Sequence, residues 1–174
     1  MKFRMNAVLL LVVFVFVLSV AHAADHGMHA QGKAADELQI SDAYARAVSP
    51  MQKNSAVFMT LMNHGKTEHA IVGASGEVAA SVELHTHIDD AGVMRMRPID
   101  KIVVPAGGHT QLKPGGLHVM LIGLTRTLEE GGMVHLTLEF EDGSSKVVMA
   151  PVKKVVSMNQ GHGDHNMQQH KHNM

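Results

Sequence analysis

Two histidines and two methionines fall within the twelve residues from His85 to Met96: His85, His87, Met94 and Met96. About twenty positions on, Leu117-His118-Val119-Met120-Leu121 adds another His and another Met, two apart. Imidazole nitrogen and thioether sulfur are both neutral donors. Thioether sulfur is also soft; it suits Cu(I) and is rarely used by Zn²⁺, Mg²⁺ or Ca²⁺. A neutral donor set matches a singly charged ion, because no carboxylate charge has to be balanced. The chain holds 14 His, 14 Met and no Cys. The lack of cysteine excludes disulfides, thiolate nucleophiles, Cys-based zinc sites and blue-copper centres.

Such donors need strands to present them. In Ser81 to Ile88, period-2 alternation points Val82, Leu84 and Thr86 one way and Glu83, His85 and His87 the other. Met94 and Met96 share a face. If Asp89 to Gly92 forms a four-residue hairpin loop, Ile88 pairs with Val93, His87 with Met94 and His85 with Met96. Opposed Cβ atoms would then lie about 4.5–5.5 Å apart, and a one-residue slip would break the set. His118 and Met120 share a face within one strand, and the tight turn Lys113-Pro114-Gly115-Gly116 sets where that strand begins. His87 and Met94 read as auxiliary donors or, equally, as packed or solvent-facing residues. Met59, Met62, Met133 and Met149 read as packing. His64, His69, His109 and His135 read as surface histidines.

The surrounding elements read as all-β. Apolar, β-prone runs at Glu37–Val48, Ser55–His64, His69–Ser75, Ser81–Ile88, Lys101–Pro105, Leu117–Gly123, Met133–Glu141 and Ser145–Val156 are separated by Gly- and Asn-bearing turns. Short strands at that spacing suggest a sandwich or small barrel. A single helical turn is expected near Thr125–Glu130. Residues 36–157 form the expected body, with 45% hydrophobic content in the 174-residue chain.

Both ends differ from that body. Lys2 and Arg4 precede an apolar run, Ala7–Val20, and a small-x-small sequence, Ala21-His22-Ala23. Residues 1–23 therefore read as a cleavable signal peptide, cut after Ala23 or, alternatively, after Ala21; a retained membrane anchor is the competing reading. Loss of Lys2 and Arg4 takes the formal charge from −1 to −3. That balance gives nucleic acid no basic patch to meet. With no thiol after the apolar run, lipid attachment there is excluded. Residues 24–35 form a polar arm with His26, Met28 and His29. Residues 158–174 form a His/Met-rich tail without aliphatic residues, expected to be disordered without metal.

The pattern His85, ten residues, Met96, twenty-one residues, His118, one residue, Met120 resembles that of the periplasmic copper chaperone family PCu(A)C, with every spacing matched. The flanks Val82–His85, Met94–Pro98, Val104–Gly108, Leu112–Leu124 and Leu136–Gly143 are similar to the family as well, and the likeness runs from about Ala43 to Val155. Tyr44 departs from the Trp common in relatives. The resemblance implies a cupredoxin-like Greek-key β-barrel or sandwich. It also implies a Cu(I) site of His85, Met96, His118 and Met120, and delivery of copper to a receiver such as a cytochrome c oxidase subunit. A soluble periplasmic monomer, with no membrane attachment once the signal is removed, is the expected form.

The ends offer further donors. His162, His165, His170, His172 and Met167 make the tail a candidate Cu(II) site, against the alternative of an inert solvated tail. If cleavage follows Ala23, the new amine, two amides and the His26 ring make a square-planar Cu(II) site; a frayed arm is the alternative. A copper-buffering or resistance protein without specific delivery is the main rival reading. A metal-dependent enzyme is disfavoured, because no Ser-His-Asp order or carboxylate pair is evident. A structural β-domain would bind no stoichiometric metal.

Overall fold

The computed structural model describes residues 32–155. In chain order they form α1 (Ala34–Glu37), β1 (Leu38–Arg46), β2 (Asn54–Asn63), β3 (His69–Ser75), β4 (Ala79–Asp90), β5 (Val93–Pro98), β6 (Ile102–Val104), β7 (His109–Leu112), β8 (His118–Leu124), β9 (Met133–Phe140) and β10 (Ser145–Lys153). The sheet runs β5-β4-β8-β2-β1-β10-β9-β3-β6, with β7 also on β2. The path is open, with β5 and β6 at its edges. The expected leader and tail lie outside the described residues.

Alternation builds the core. In β9, Val134, Leu136, Leu138 and Phe140 point inward, and from the other half of the sheet come Val57, Met59 and Leu61 of β2 and Val119 and Leu121 of β8. All nine are at most 2% exposed, and they belong to one cluster. Met59 therefore packs as expected. Met62, Met133 and Met149 do not: they are 45%, 42% and 65% exposed, because each stands on the outward parity of its strand.

Other expectations are corrected as well. No helix forms at Thr125–Glu130. Leu128 is fully buried there, and its carbonyl accepts the N–H of Val48 at 3.1 Å, a tertiary bond that replaces a helical one. Strand β7 (His109–Leu112) was not read from the sequence; it exists by pairing with Met59–Met62. The body also begins before Asp36. Ala34 is fully buried. Its N–H donates to Asp142 Oδ2 at 2.8 Å, and that of Ala35 donates to Ser144 Oγ at 3.0 Å. Lys146 Nζ donates to the carbonyls of Ala35 and Leu38 at 2.7 and 2.6 Å. A four-residue helix cannot satisfy its own end groups; here the β9–β10 turn and β10 do so.

His69 completes this attachment, and the expectation of a surface histidine fails: it is 4% exposed. Its Nδ1 meets Glu141 Oε1 at 2.6 Å and its Nε2 meets Glu37 Oε2 at 2.9 Å. Burial alone would lower its pKa, but the hydrogen bonds to Glu141 and Glu37 outweigh it and the value is raised above 6.5. Burial opposes Glu141 in the same way, and its bonds to His69 and the Ala70 N–H bring it below 4.5. The bond from Ser144 brings Asp142 to about 2, against burial and with help from the Ala34 N–H.

The β4–β5 hairpin closes through two residues, not four. Asp90 pairs with Val93, and Ala91 and Gly92 both take positive φ, 53° and 84°. That is the pattern of the tight turn whose twist suits a hairpin. The register therefore slips by two residues from the expected one: His87 opposes Met96, and His85 opposes Pro98. A slip of two preserves parity, so the His and Met residues keep a common face.

Two outcomes follow. Ala91→Gly should raise the denaturation midpoint, because the left-handed region costs Ala about 1 kcal/mol and glycine nothing. Stability should also depend on pH through His69 and Glu141. A raised histidine stabilises fully below the unfolded value of 6.5 and loses that effect as pH rises through its folded value. A lowered glutamate stabilises above 4.5 and loses that effect as pH falls through its folded value. The clasp should therefore be strongest between about pH 4.5 and 6.5. His69→Gln should remove the alkaline limb and about 1–2 kcal/mol in urea titrations; the low end allows for Glu141, whose side chain is 36% exposed.

Candidate metal centre

Directly opposed residues on neighbouring strands share a face. On the outward face, Tyr44 of β1 opposes Phe58 of β2, and His118 of β8 opposes His85 of β4, which opposes Pro98 of β5. Phe58 joins the two halves of this row: its ring centroid lies 6.2 Å from that of His118 and 5.2 Å from that of Tyr44. A bulge in β1 puts Tyr44 there. Ser41 pairs with Thr60 and Tyr44 with Phe58, so β1 carries one extra residue, and Asp42 absorbs it at φ 53°. Lys153 Nζ then sits 5.5 Å from the Tyr44 ring. Tyr44 thus packs against Phe58 and Lys153.

Rows on either side carry the thioethers. Met120 opposes Glu83 on one side and Ala56 on the other. Met96 opposes His87. Each of these rows lies two residues, about 7 Å, along the strands from the His85–His118 row. The two imidazoles therefore stand in the middle, with one thioether row above and one below. The His85 and His118 ring centroids are 5.8 Å apart, and those of His87 and His118 are 5.2 Å apart. His118 is 1% and His85 9% exposed, whereas Met96, on the edge strand, is 41% exposed. Met94, expected opposite His87, instead opposes Asp89 and is 57% exposed.

Hydrogen bonds orient the rings. His118 Nδ1 donates to the Gly116 carbonyl at 3.0 Å. His85 Nε2 donates to Glu83 Oε2 at 2.8 Å, and Ser81 Oγ donates to the other Glu83 oxygen at 3.0 Å. The remaining ring nitrogens, His118 Nε2 and His85 Nδ1, are buried and have no partner. Each tautomer thus leaves one lone pair free in a water-poor site, the arrangement a metal ligand needs. Burial lowers the His118 pKa below 6.5; the Gly116 bond opposes this, and His87, His85 and Arg46 add to it. The bond from His85, aided by Ser81, holds Glu83 below 4.5. Among the described residues, no three His, Asp or Glu side chains converge as a metal cluster.

Glu83, Phe58 and the Gly116 carbonyl were not assigned roles from the sequence. Glu83 had a signal, sharing parity with His85 two residues away. Phe58 had none. His26, His162, His165, Met167, His170 and His172 lie outside the described residues.

The open, nearly all-β sheet of ten strands is cupredoxin-like, and PCuAC domains are among its structural neighbours. The copper-bound PCuAC domain from PmoF2 superposes with a TM-score of 0.60 at 22% identity, covering 71% of this chain and 97% of that one. Apo-DR1885 from Deinococcus radiodurans gives 0.56 at 30% identity, covering 90% and 98%. Its CuI form gives 0.51 at 39% identity, covering 64% and 75%. The LpqE-like family model matches residues 38–152, and the chain belongs to that family. A relative from Leifsonia xyli subsp. xyli (strain CTCB07), named "Putative lipoprotein Lxx21020", is 36% identical over 132 residues, 75% of this chain and 78% of its own.

Burial by Phe58 should be visible in the metal-free protein. By NMR, His118 should titrate below 6.5. Phe58→Ala should bring it back up, because opening the ring to water removes the cause of the shift. The same change should cost about 3–5 kcal/mol of stability.

Proposed function

We propose that this chain is a periplasmic copper carrier that holds one Cu(I) among His85, Met96, His118 and Met120, and passes it to a receiving protein of cytochrome c oxidase assembly. The observation that carries this reading is the pair of buried, unpartnered nitrogens on opposed imidazoles. Leaving two such atoms without partners costs about 1–3 kcal/mol each, and a soft cation between them offsets it. The 39% identity to CuI-DR1885 supports the choice of ion.

The chemistry of the donors argues for carriage. All four are neutral, so they favour Cu(I) over Cu(II) and leave little drive for redox turnover. Glu83 keeps the His85 ring turned, as a carboxylate does behind a metal-bound histidine. Met96 stands on an edge strand whose six residues are all exposed, so it is the donor a receiver reaches first. Release then proceeds by exchanging one ligand at a time. The His-rich arm and tail extend the reading to capture of Cu(II) outside the body.

Met120→Ala and Met96→Ala should each weaken Cu(I) binding at least 10–100-fold, about 1.4–2.7 kcal/mol, in anaerobic competition titrations. Undiminished affinity in both would remove the proposed site. Transfer is tested separately: Cu(I)-loaded protein is mixed with a purified oxidase copper domain. Binding without transfer would favour copper buffering over delivery.

A further inference from the structure

The outward face of β2 continues past the central site. Four residues beyond Phe58, about 13 Å along the strand, stands Met62. Its neighbours are set by register: His109 of β7 opposes it on one side and Gln39 of β1 on the other. His64 follows two positions later, on the same parity. Its backbone is held in line by its N–H bond to the Glu37 carbonyl at 3.0 Å. The Gly107–Gly108 turn is pinned alongside: Asn63 N–H donates to the Gly108 carbonyl at 2.9 Å, and Gly107 N–H to the Gly65 carbonyl at 3.1 Å. Those bonds bring the start of β7, and with it His109, beside Met62 and His64.

From this arrangement we propose a second soft-metal site, in which Met62, His64 and His109 bind one Cu(I) on the same face of the sheet as the central pair. It consists of two imidazoles and one thioether. Met62 and His109 are directly opposed, so their Cβ atoms lie about 4.5–5.5 Å apart, and His64, two positions on from Met62, is the diagonal neighbour of His109 at about 7–8 Å. Gln39 orients the third donor: His64 Nε2 donates to Gln39 Oε1 at 2.8 Å, which leaves Nδ1 with its lone pair. Met62 is 45% exposed and both histidines are exposed, so the site is open to an arriving ion. The stretch between the two sites, Thr60 and its partner Gln111, carries no charge to repel a cation. The other exposed row of this kind, His135 opposite Met149, has one imidazole and nothing holding its ring, so the Met62 group is the better built.

The inference rests on the copper-carrier reading only for the choice of ion. The test uses full-length protein labelled at the methionine methyls and titrated with Ag(I), a diamagnetic soft monovalent probe. The Met62 methyl should shift and saturate together with the ring signals of His64 and His109. In His109→Gln, whose substituted side chain lies on the surface, the affinity read at Met62 should fall at least tenfold, while the shifts of Met96 and Met120 remain. A Met62 methyl that stays unmoved at saturation overturns the proposal, as does a shift that survives both His109→Gln and His64→Gln. Movement of Met62 with Met96 and Met120 silent would uphold this site and remove the central one, so the two failures are distinct.

Discussion

The metal centre depends on the antiparallel register of β4 against β8. That register opposes His85 to His118, and the core enforces it. Leu84, Val119 and Leu121 stand on the inward parity of the same two strands and are at most 4% exposed. A one-residue slip of β8 against β4 would turn Val119 and Leu121 outward and His118 inward. At about 1.5–3 kcal/mol for each side chain, the loss approaches the whole stability of a small domain, about 5–15 kcal/mol. His85 and His118 therefore sit opposite one another because core residues on the same strands require it.

The aromatic cover and the hydrogen bonds then divide the work at the site. Phe58, tilted against both Tyr44 and His118, covers the imidazole row on the β2 side. Gly116 and Glu83 take one nitrogen of each ring, and the other nitrogen is left without a partner. This departs from the rule that buried polar atoms are bonded, and it does so twice in one row. Met96 contributes differently, from an edge strand with no inward face to pin it. Two buried, oriented imidazoles thus lie beside one exposed thioether.

Much of this was legible in the residues. The alternation in Ser81–Ile88 and Leu117–Leu121 gave the shared face of Glu83, His85, His118 and Met120. The Lys113–Gly116 turn was read as a start signal, and its last carbonyl holds the His118 ring. The His87–Met96 pairing was not legible. It turns on whether the hairpin closes through four residues or two, and Ala91 is a poor advertisement for a positive φ. Met62 and Met149 read as packing because a methionine in a β-run usually is; their parity shows only once the strand bounds are known. His69 read as a surface residue because its two carboxylates come from 32 and 72 positions away.

The sequence by itself determined the donor types, the exclusion of thiolate chemistry and the period-2 sorting of side chains, since these depend on composition and on backbone geometry within one strand. Tertiary structure decided which strands lie side by side. It thereby set His85 against His118, Met62 against His109, and α1 against a turn 108 residues later. Strand pairing is governed by where the whole chain buries its apolar face, and no local stretch carries that information.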